Sequence, residues 1–178
     1  MYKSLRRVYP ERNSIKTPFY VGAARAPSVT GPYERIGDRP ALRWKGKPLV
    51  AEDPYVWRDA RGVYHAIFHS QIEDDDERLC GGHAFSEDGV AWTFGGTAFS
   101  NLVRIAAAPH DAPYEYRFSR RERPHLAIDH TGTARALTNG ATPYWPCSEP
   151  NVCPTDYCFT SLELLGPTPD AVEEAAEE

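Results

Sequence analysis

Several features that mark other protein classes are scarce in this chain of 178 residues. No apolar run approaches the roughly 18 residues that a membrane-spanning helix needs, so we expect no membrane partner. The opening segment MYKSLRRVYPER has basic residues but no apolar stretch behind them, and it therefore predicts no secretory signal. The compartment is left open, because a longer parent protein could still be secreted.

Cysteine is also sparse. Cys147, Cys153 and Cys158 lie close together and Cys80 stands alone. This spacing matches neither paired CxxC zinc ligation nor a haem site. A disulfide between two of the three neighbours and free thiols are both compatible with it, so the cysteines do not identify the compartment either.

A dense stripe of basic residues is missing as well. The net charge is -5, and residues 1–47 hold 11 Lys or Arg against 3 Asp or Glu, while the remainder holds 9 against 22. The basic part lacks a dense stripe of Lys or Arg interleaved with stacking aromatics, and the acidic remainder repels phosphate. We therefore expect no nucleic-acid partner.

What the chain does contain indicates strands and turns. It has 16 Pro, 13 Gly and 10 Tyr, and 41% of its residues are apolar. This amount of apolar sequence is enough for one domain with a core, and the abundance of turn formers favours β structure over helix. The composition predicts an all-β fold.

One pattern occurs twice, 70 residues apart: residues 52–66 (EDPYVWRDARGVYHA) and 122–136 (ERPHLAIDHTGTARA) share Glu, Pro, Asp, Gly and Ala at matched positions. Each copy predicts an inner strand, an Asp-x-x-Gly hairpin and a returning strand. Residues 18–35 and 82–94 form a second pair, each with a strand, a Gly turn and then an aromatic residue, Tyr33 or Trp92. Self-similarity of this kind indicates a repeated supersecondary unit.

The repeats predict units of about 60 to 70 residues, which suits a four-stranded propeller blade. We expect a partial β-propeller over residues 1–165, with two to three blades of antiparallel strands and blade repeats near 52–94 and 122–165. A loop of about 20 residues should precede the second inner strand near 122–128, and a last strand should span 157–165. Residues 166–178 should form an acidic, disordered tail. Open blade edges are expected to pair with another chain.

Three motifs carry a family resemblance. They are EDP with WRD and GxY in residues 52–64, GGHAFSxDGxxW in residues 81–92, and RERPHL in residues 121–126. In this order they resemble the five-bladed β-propeller glycosidases of the glycoside hydrolase family 43 type, within the wider arabinanase, levansucrase and invertase group. The resemblance covers roughly residues 18–165.

The resemblance implies a partial five-bladed β-propeller that hydrolyses glycosidic bonds of poly- or oligosaccharides in a central funnel. Asp53 matches the Asp-Pro opening whose Asp tunes the acid or stabilises the transition state. Glu122 matches the Glu-x-Pro opening that holds the general acid. Such a pair works when one carboxyl stays protonated and its counterpart stays ionised.

The chain departs from the family in its first carboxylate. No residue upstream of 52 matches the family's base or nucleophile, and the two copies resemble the last blades of a ring. The resemblance therefore predicts a C-terminal portion of a longer propeller, in which catalysis is open. The alternative is a non-catalytic carbohydrate-binding or scaffolding segment.

Glu52, rather than Asp53, is the positional equivalent of Glu122. Adjacent strand residues face opposite ways, so only one of Glu52 and Asp53 can face the funnel unless the strand carries a bulge. The bland explanation for these carboxylates is that they cap neighbouring backbone N–H groups.

Further side chains are candidates for sugar contact. Together with Glu52 they are Trp57, His69, His83, Arg121, Arg123 and Trp145. Each has a structural alternative: hydrogen-bonded strand histidines, charge balance for the arginines, and core packing for tryptophans such as Trp92. We expect no cofactor and no metal, although a central Ca²⁺ or Na⁺ stays open. The acidic run 73–77 lacks the Gly and spaced ligands of a calcium loop and predicts a solvated hairpin tip.

Overall fold

The computed structural model describes residues 1–5, 19–44, 47–70, 73–74, 77–78, 81–105, 112–143 and 159–166. All regular structure in these ranges is β, and every strand pair is antiparallel. None of these residues belongs to a helix that could cross a membrane. The all-β prediction is confirmed for this part of the chain.

The first sheet has three strands in the order β1-β2-β3. They are β1 (Tyr2–Leu5), β2 (Phe19–Arg25) and β3 (Glu34–Ile36). A turn joins β2 to β3, in which the Gly31 N–H donates to Ser28 O and the Tyr33 hydroxyl donates to Val29 O. The predicted strand, Gly turn and aromatic residue are therefore present here.

The middle sheet has four strands that neighbour one another in chain order, apart from a small strand pair that lies between the second and the third in sequence. They are β6 (Ala51–Arg58), β7 (Tyr64–Ser70), β10 (Gly81–Ser86) and β11 (Thr93–Phe99). The turn between β10 and β11 resembles the one in the first sheet, since in each an aromatic side chain donates to a backbone oxygen of the turn. Here the Trp92 indole N–H donates to Gly89 O. A carboxylate oxygen of Asp88 accepts the Val90 and Ala91 N–H groups and locks this turn.

The last sheet has the order β12-β13-β14-β15. Its strands are β12 (Leu102–Ile105), β13 (Tyr114–Ile128), β14 (Ala134–Pro143) and β15 (Phe159–Leu164). The prediction of a long loop before residue 122 is wrong, since β12 lies in that stretch and β13 already begins at Tyr114. The first part of β13 pairs with β12 and the second part with β14, so one long strand serves two hairpins.

Two small strand pairs complete the described structure. β4 (Arg43–Trp44) pairs with β5 (Lys47–Pro48), and β8 (Glu73–Asp74) pairs with β9 (Glu77–Arg78). The second pair places antiparallel strands at the two ends of the acidic run, as the predicted hairpin requires.

The hairpins at residues 59–62 and 129–132 have the same hydrogen bonds. In each, the Asp N–H donates to a backbone oxygen four residues on, and the Gly N–H donates back to the Asp carbonyl. Oδ1 of Asp59 accepts the N–H groups of Arg61 and Val63, and Oδ1 of Asp129 accepts those of Thr131 and Thr133. Gly62 and Gly132 have φ values of 90° and 83°, which explains the need for Gly. The predicted Asp-x-x-Gly hairpins are confirmed.

The three sheets are stacked with the middle sheet between the other two. On one side, Val21 of the first sheet packs with Ala66, Phe68 and Ala84 of the middle sheet, and Trp92 packs against this cluster, in agreement with its predicted core position. On the other side, a second cluster joins the middle and last sheets. Its members are Ile67, Phe99 and Leu137, with Tyr55, Trp57, Leu126 and Leu165 around them. The middle sheet is thus covered on both faces.

Candidate functional site

Strands β6 and β13 carry the same distortion, near the start of β6 and in the second half of β13. Asp53 and Arg123, the central residues of the two Glu-Xxx-Pro sequences, both have a φ of 52°. The strand register shifts at the same places, between Glu52 and Tyr55 and between Glu122 and His125. These shifts define two β-bulges, which we call the first bulge (residues 52–54) and the second bulge (residues 122–124). A left-handed conformation costs a residue with a Cβ about 1–2 kcal/mol, so neither bulge follows from local preference.

In the first bulge, the carboxylate of Glu52 is held by a histidine. Glu52 lies opposite His69 on β7, and its Oε1 is 3.1 Å from His69 Nδ1. Both side chains are nearly buried, with 11% and 12% of their surface exposed. Glu52 is therefore oriented by the sheet and largely screened from solvent.

In the second bulge, Glu122 faces a different environment. Its side chain is 22% exposed, and its carboxylate oxygens lie 3.8 Å from Arg120 Nη1 and 3.9 Å from Arg123 Nη1. Both arginine side chains are more than two-thirds exposed, so these ion pairs are loose and contribute little to stability. The second bulge thus presents one carboxylate and two guanidinium groups towards solvent.

The difference arises from one extra residue in β14. Arg58 pairs with Tyr64, and Ile128 pairs with Ala134 at matching positions. The next pair is Trp57 with His65 in the middle sheet, but Ala127 with Ala136 in the last sheet, so Arg135 is an insertion. Glu122 consequently lies opposite Gly140 instead of Asn139, the counterpart of His69 by sequence.

Arg121 lies beside the second bulge but points into the protein. Its side chain is 2% exposed. Its guanidinium donates to Ser100 O at 2.7 Å, Asn139 Oδ1 at 2.9 Å and Glu163 Oε2 at 2.8 Å. It also lies over the Phe99 ring, 5.3 Å from the centroid. This predicted sugar-binding residue therefore connects β13 to β14, β15 and the segment before β12.

Trp57 and His83 lie in a different place from the bulges, on the face of the middle sheet that meets the last sheet. The Trp57 ring stacks on His65, with centroids 5.1 Å apart, and on Tyr55 at 6.1 Å. The Tyr55 ring in turn contacts His125 of the last sheet at 4.3 Å. Trp57 is five residues from Glu52, roughly 16 Å along a strand. The predicted sugar-contact residues therefore form two groups.

A hydrogen-bonded chain runs from Asp59 through His65 to His83. His65 Nε2 is 3.4 Å from Asp59 Oδ2, and His65 Nδ1 is 3.0 Å from His83 Nε2. Partial burial opposes ionisation of Asp59, but hydrogen bonds from the Val63 N–H, Arg61 and His65 outweigh it and lower its pKa to about 2. An ionised Asp59 only accepts, so neutral His65 carries its proton on Nε2 and accepts from His83 through Nδ1.

Burial lowers the pKa of His83, and electrostatic repulsion from His65 lowers it further. His83 also borders a cavity of about 310 Å³ between the middle and last sheets. Apolar side chains such as Phe99, Leu126 and Leu137 line most of this cavity. It offers one imidazole to a ligand and few other polar groups, which is unlike a sugar site.

Sequence reasoning did not identify three of the residues that shape these sites. Asn139 and Gly140 decide what lies opposite Glu122, and Tyr55 bonds through its hydroxyl to Leu126 O across the two sheets. None belongs to a recognisable motif, because their importance comes from strand pairing. Trp145, all four cysteines and nearly all of the acidic tail lie outside the described residues. Within the described ranges, no three His, Cys, Asp or Glu residues are grouped as metal ligands.

Comparisons with known proteins found no match: no family model, no curated protein and no solved structure matches this chain. Function is therefore inferred from the residues and their geometry.

Proposed function

We propose that the stacked sheets are blades of a β-propeller of the glycoside hydrolase family 43 type. We further propose that the part of this propeller that carries the first and second bulges binds a poly- or oligosaccharide. Glu122 and Asp53 are the carboxylates expected to act on the glycosidic bond, because they match the family's Glu-x-Pro and Asp-Pro openings. The observation that carries the proposal is the repeated bulge, in which Asp53 and Arg123 share a φ of 52°. Backbone strain of this kind clusters at functional sites.

The order of the strands is compatible with blades. The middle sheet runs β6-β7-β10-β11, so its strands neighbour one another in sequence, as in a four-stranded blade that starts at a central axis. The sheets also pack face to face, which is how neighbouring blades bury their apolar surfaces. The first bulge lies near the start of β6, and the second lies in the part of β13 that pairs with β14. We expect a central funnel to place its polar residues at these positions.

The chemistry of the second bulge suits hydroxyl-rich ligands. Glu122 accepts hydrogen bonds, whereas Arg120 and Arg123 donate them, and all three are at least partly exposed. Glycoside hydrolysis additionally requires two carboxyl groups across the scissile bond, one to protonate the leaving oxygen and one to act as base or nucleophile. Asp53 is the proposed second group, and Glu52 is its competitor within the same bulge.

A non-catalytic sugar-binding or scaffolding segment is the second candidate, and the partners of the two glutamates favour it. Glu52 is engaged by His69, and Glu122 lies within 4.0 Å of two guanidinium groups. Carboxylates beside such donors are placed to accept hydrogen bonds from sugar hydroxyls. Binding without hydrolysis would then be the function of this chain.

An activity screen separates the two candidates. The chain is assayed with aryl arabinosides, xylosides and galactosides, and Glu122→Gln is compared with Glu115→Gln, a control on the same strand at an exposed position. Loss of a general acid should lower the rate by about 100-fold or more, and the control should retain it. Equal rates in both variants would remove Glu122 as the acid.

Calorimetry with arabino-, xylo- and galacto-oligosaccharides gives the second measurement. Binding that is lost in Arg123→Ala, without any hydrolysis by the parent chain, identifies the non-catalytic candidate. If the unsubstituted chain neither cleaves nor binds any of these sugars, both candidate functions are wrong.

A further inference from the structure

The cavity between the middle and last sheets is large enough for a small organic ligand, and the described residues that line it belong to neither bulge. Its volume is about 310 Å³. An apolar cavity of ~150 Å³ accommodates benzene, so this one has room for a molecule of about two fused rings. Phe99, Leu126, Leu137 and Leu165 contribute apolar side chains to the lining. The cavity therefore suits a ligand with a flat, apolar body.

The cavity is reached beside an edge strand. The strand order places β11 at one edge of the middle sheet. Thr97 and Ala98 of this strand line the cavity and are exposed. A ligand can therefore enter from solvent at β11 without separating the two sheets.

His83 supplies the cavity with a hydrogen-bond acceptor. Its Nε2–H donates to His65 Nδ1 at 3.0 Å, and His65 Nε2 in turn lies 3.4 Å from Asp59 Oδ2. The other ring nitrogen of neutral His83, Nδ1, carries a lone pair, and no described residue donates a hydrogen bond to it. Burial lowers the pKa of His83, so this nitrogen is unprotonated at neutral pH.

A bulge in β11 keeps the space beside this nitrogen clear. His83 pairs with Gly96 and Ala84 pairs with Phe94, which leaves Gly95 as the extra residue of β11. Gly95 lines the cavity, and a Cβ at this position would lie 2.8 Å from His83 Nδ1. Any side chain at Gly95 would therefore crowd the acceptor, whereas glycine leaves it accessible from the cavity.

We propose that this cavity binds a small phenol of one or two rings, which packs among the apolar side chains and donates its hydroxyl hydrogen to His83 Nδ1. A phenol fits because it combines an apolar body with one strong donor, and Phe99 offers a ring against which it can pack. The chain of hydrogen bonds through His65 to Asp59 strengthens the acceptor, because each bond polarises the next. The site is separate from the proposed sugar site, and its test does not depend on sugar binding.

Equilibrium dialysis of the intact chain with 2-naphthol and with 2-methylnaphthalene, at neutral pH, tests the proposal. The two probes have nearly the same shape, but only 2-naphthol has a hydroxyl. The readout is the ratio of their two dissociation constants, compared between the unsubstituted chain and its variants, because this comparison cancels the difference in hydrophobicity between the probes. If neither probe binds the unsubstituted chain, the proposal is wrong.

Two variants remove the hydrogen bond in different ways. His83→Leu deletes the acceptor, and Gly95→Ala crowds it while keeping the imidazole; the backbone of Gly95 lies outside the left-handed region, so alanine is compatible with it. Each should reduce the preference for 2-naphthol by about fivefold. Thr93→Ala is the control and should keep the preference, because Thr93 is exposed on the same strand and does not line the cavity.

Thermal unfolding checks that each variant is folded, and either folded variant is sufficient for the test. A preference for 2-naphthol that His83→Leu or Gly95→Ala leaves unchanged would overturn the proposal, since the hydroxyl would then be bound elsewhere.

Discussion

The two bulges have the same backbone distortion, but the side chains around their glutamates differ. Asp53 and Arg123 share their left-handed φ, and a proline follows each. Glu52 is nevertheless held by His69, whereas Glu122 lies opposite Gly140 and reaches solvent. A repeated sequence therefore reproduces the backbone distortion, while the facing strand decides whether the carboxylate is available.

The two bulges also differ in the residue that precedes each glutamate. Ala51 packs in the apolar cluster between the first and middle sheets. Its counterpart in the last sheet is Arg121, whose guanidinium is 2% exposed and bonded to three oxygen atoms. The first bulge is thus supported by apolar packing and the second by a buried polar network.

The largest loss of stability should come from removing the buried hydrogen bonds of Arg121. Arg121→Met should lower the free energy of unfolding by about 3 kcal/mol, because the buried Asn139 side chain and the Ser100 carbonyl lose their donor. Urea denaturation measures the change. Arg120→Met, at a side chain that is 67% exposed, should change it by less than about 0.5 kcal/mol. Adding Asn139→Leu to Arg121→Met should recover part of the loss; no recovery would show that Asn139 is not the residue left unsatisfied.

An intermediate effect is expected when the two glutamate environments are exchanged. His69→Ala removes the partner of a nearly buried carboxylate and should cost about 2 kcal/mol of stability by urea denaturation. Gly140→His should be tolerated, since a Cβ at Gly140 meets its nearest atoms at 3.7 and 3.8 Å, an ordinary contact. It places an imidazole opposite Glu122, so sugar binding should weaken by about tenfold, equivalent to about 1.4 kcal/mol. Unchanged binding would show that the second bulge does not contact the sugar.

The smallest expected effect is on the pH dependence of stability, and it involves His65 and His83, which have no histidine counterparts in the last sheet. Burial and then repulsion from His65 lower the pKa of His83 below its ordinary value of 6.5. Below that value the unfolded chain binds the proton more readily than the folded one. Above pH 6.5 His83 is neutral in both the folded and the unfolded chain, so the lowered pKa does not affect stability. As the pH drops from 6.5 towards the lowered pKa, the unfolded chain takes up the proton first and the free energy of unfolding falls.

Thermal unfolding across this pH range measures the effect. His83→Gln should flatten the pH profile, while His130→Gln, at an exposed hairpin tip, should leave it as it is. His65 and Asp59 are the titratable groups that face this chain of hydrogen bonds, and both variants retain them. A profile that His83→Gln does not alter would assign the pH dependence to other groups.

Local chemistry explains which elements could be predicted. The Asp59 and Asp129 hairpins follow from one carboxylate that accepts two nearby N–H groups and a Gly with positive φ, all within five residues. The first half of β13 alternates aromatic residues (Tyr114, Tyr116, Phe118) with polar ones, which is a local strand signal that the sequence analysis overlooked. Its pairing with β12 was not predictable in the same way, because it depends on how two strands align.

The candidate site was predictable in part. The repeat identified Glu52 and Glu122 as equivalents. Because adjacent strand residues face opposite ways, the sequence also predicted that either only one of Glu52 and Asp53 faces the funnel or the strand carries a bulge. The φ values, the insertion of Arg135 and the pairing with His69 or Gly140 were not predictable. Each depends on how two strands that are distant in sequence align.

Sequence alone determined that this chain is a repeated set of antiparallel strands, because alternation and turn chemistry act over a few neighbouring residues. Tertiary structure decided that the Glu122 side chain reaches solvent, that the Glu52 side chain is nearly buried against His69, and that the Arg121 side chain is buried. The physical reason is register: a shift of one residue between paired strands changes which side chains face each other, and it is settled by the packing of whole sheets.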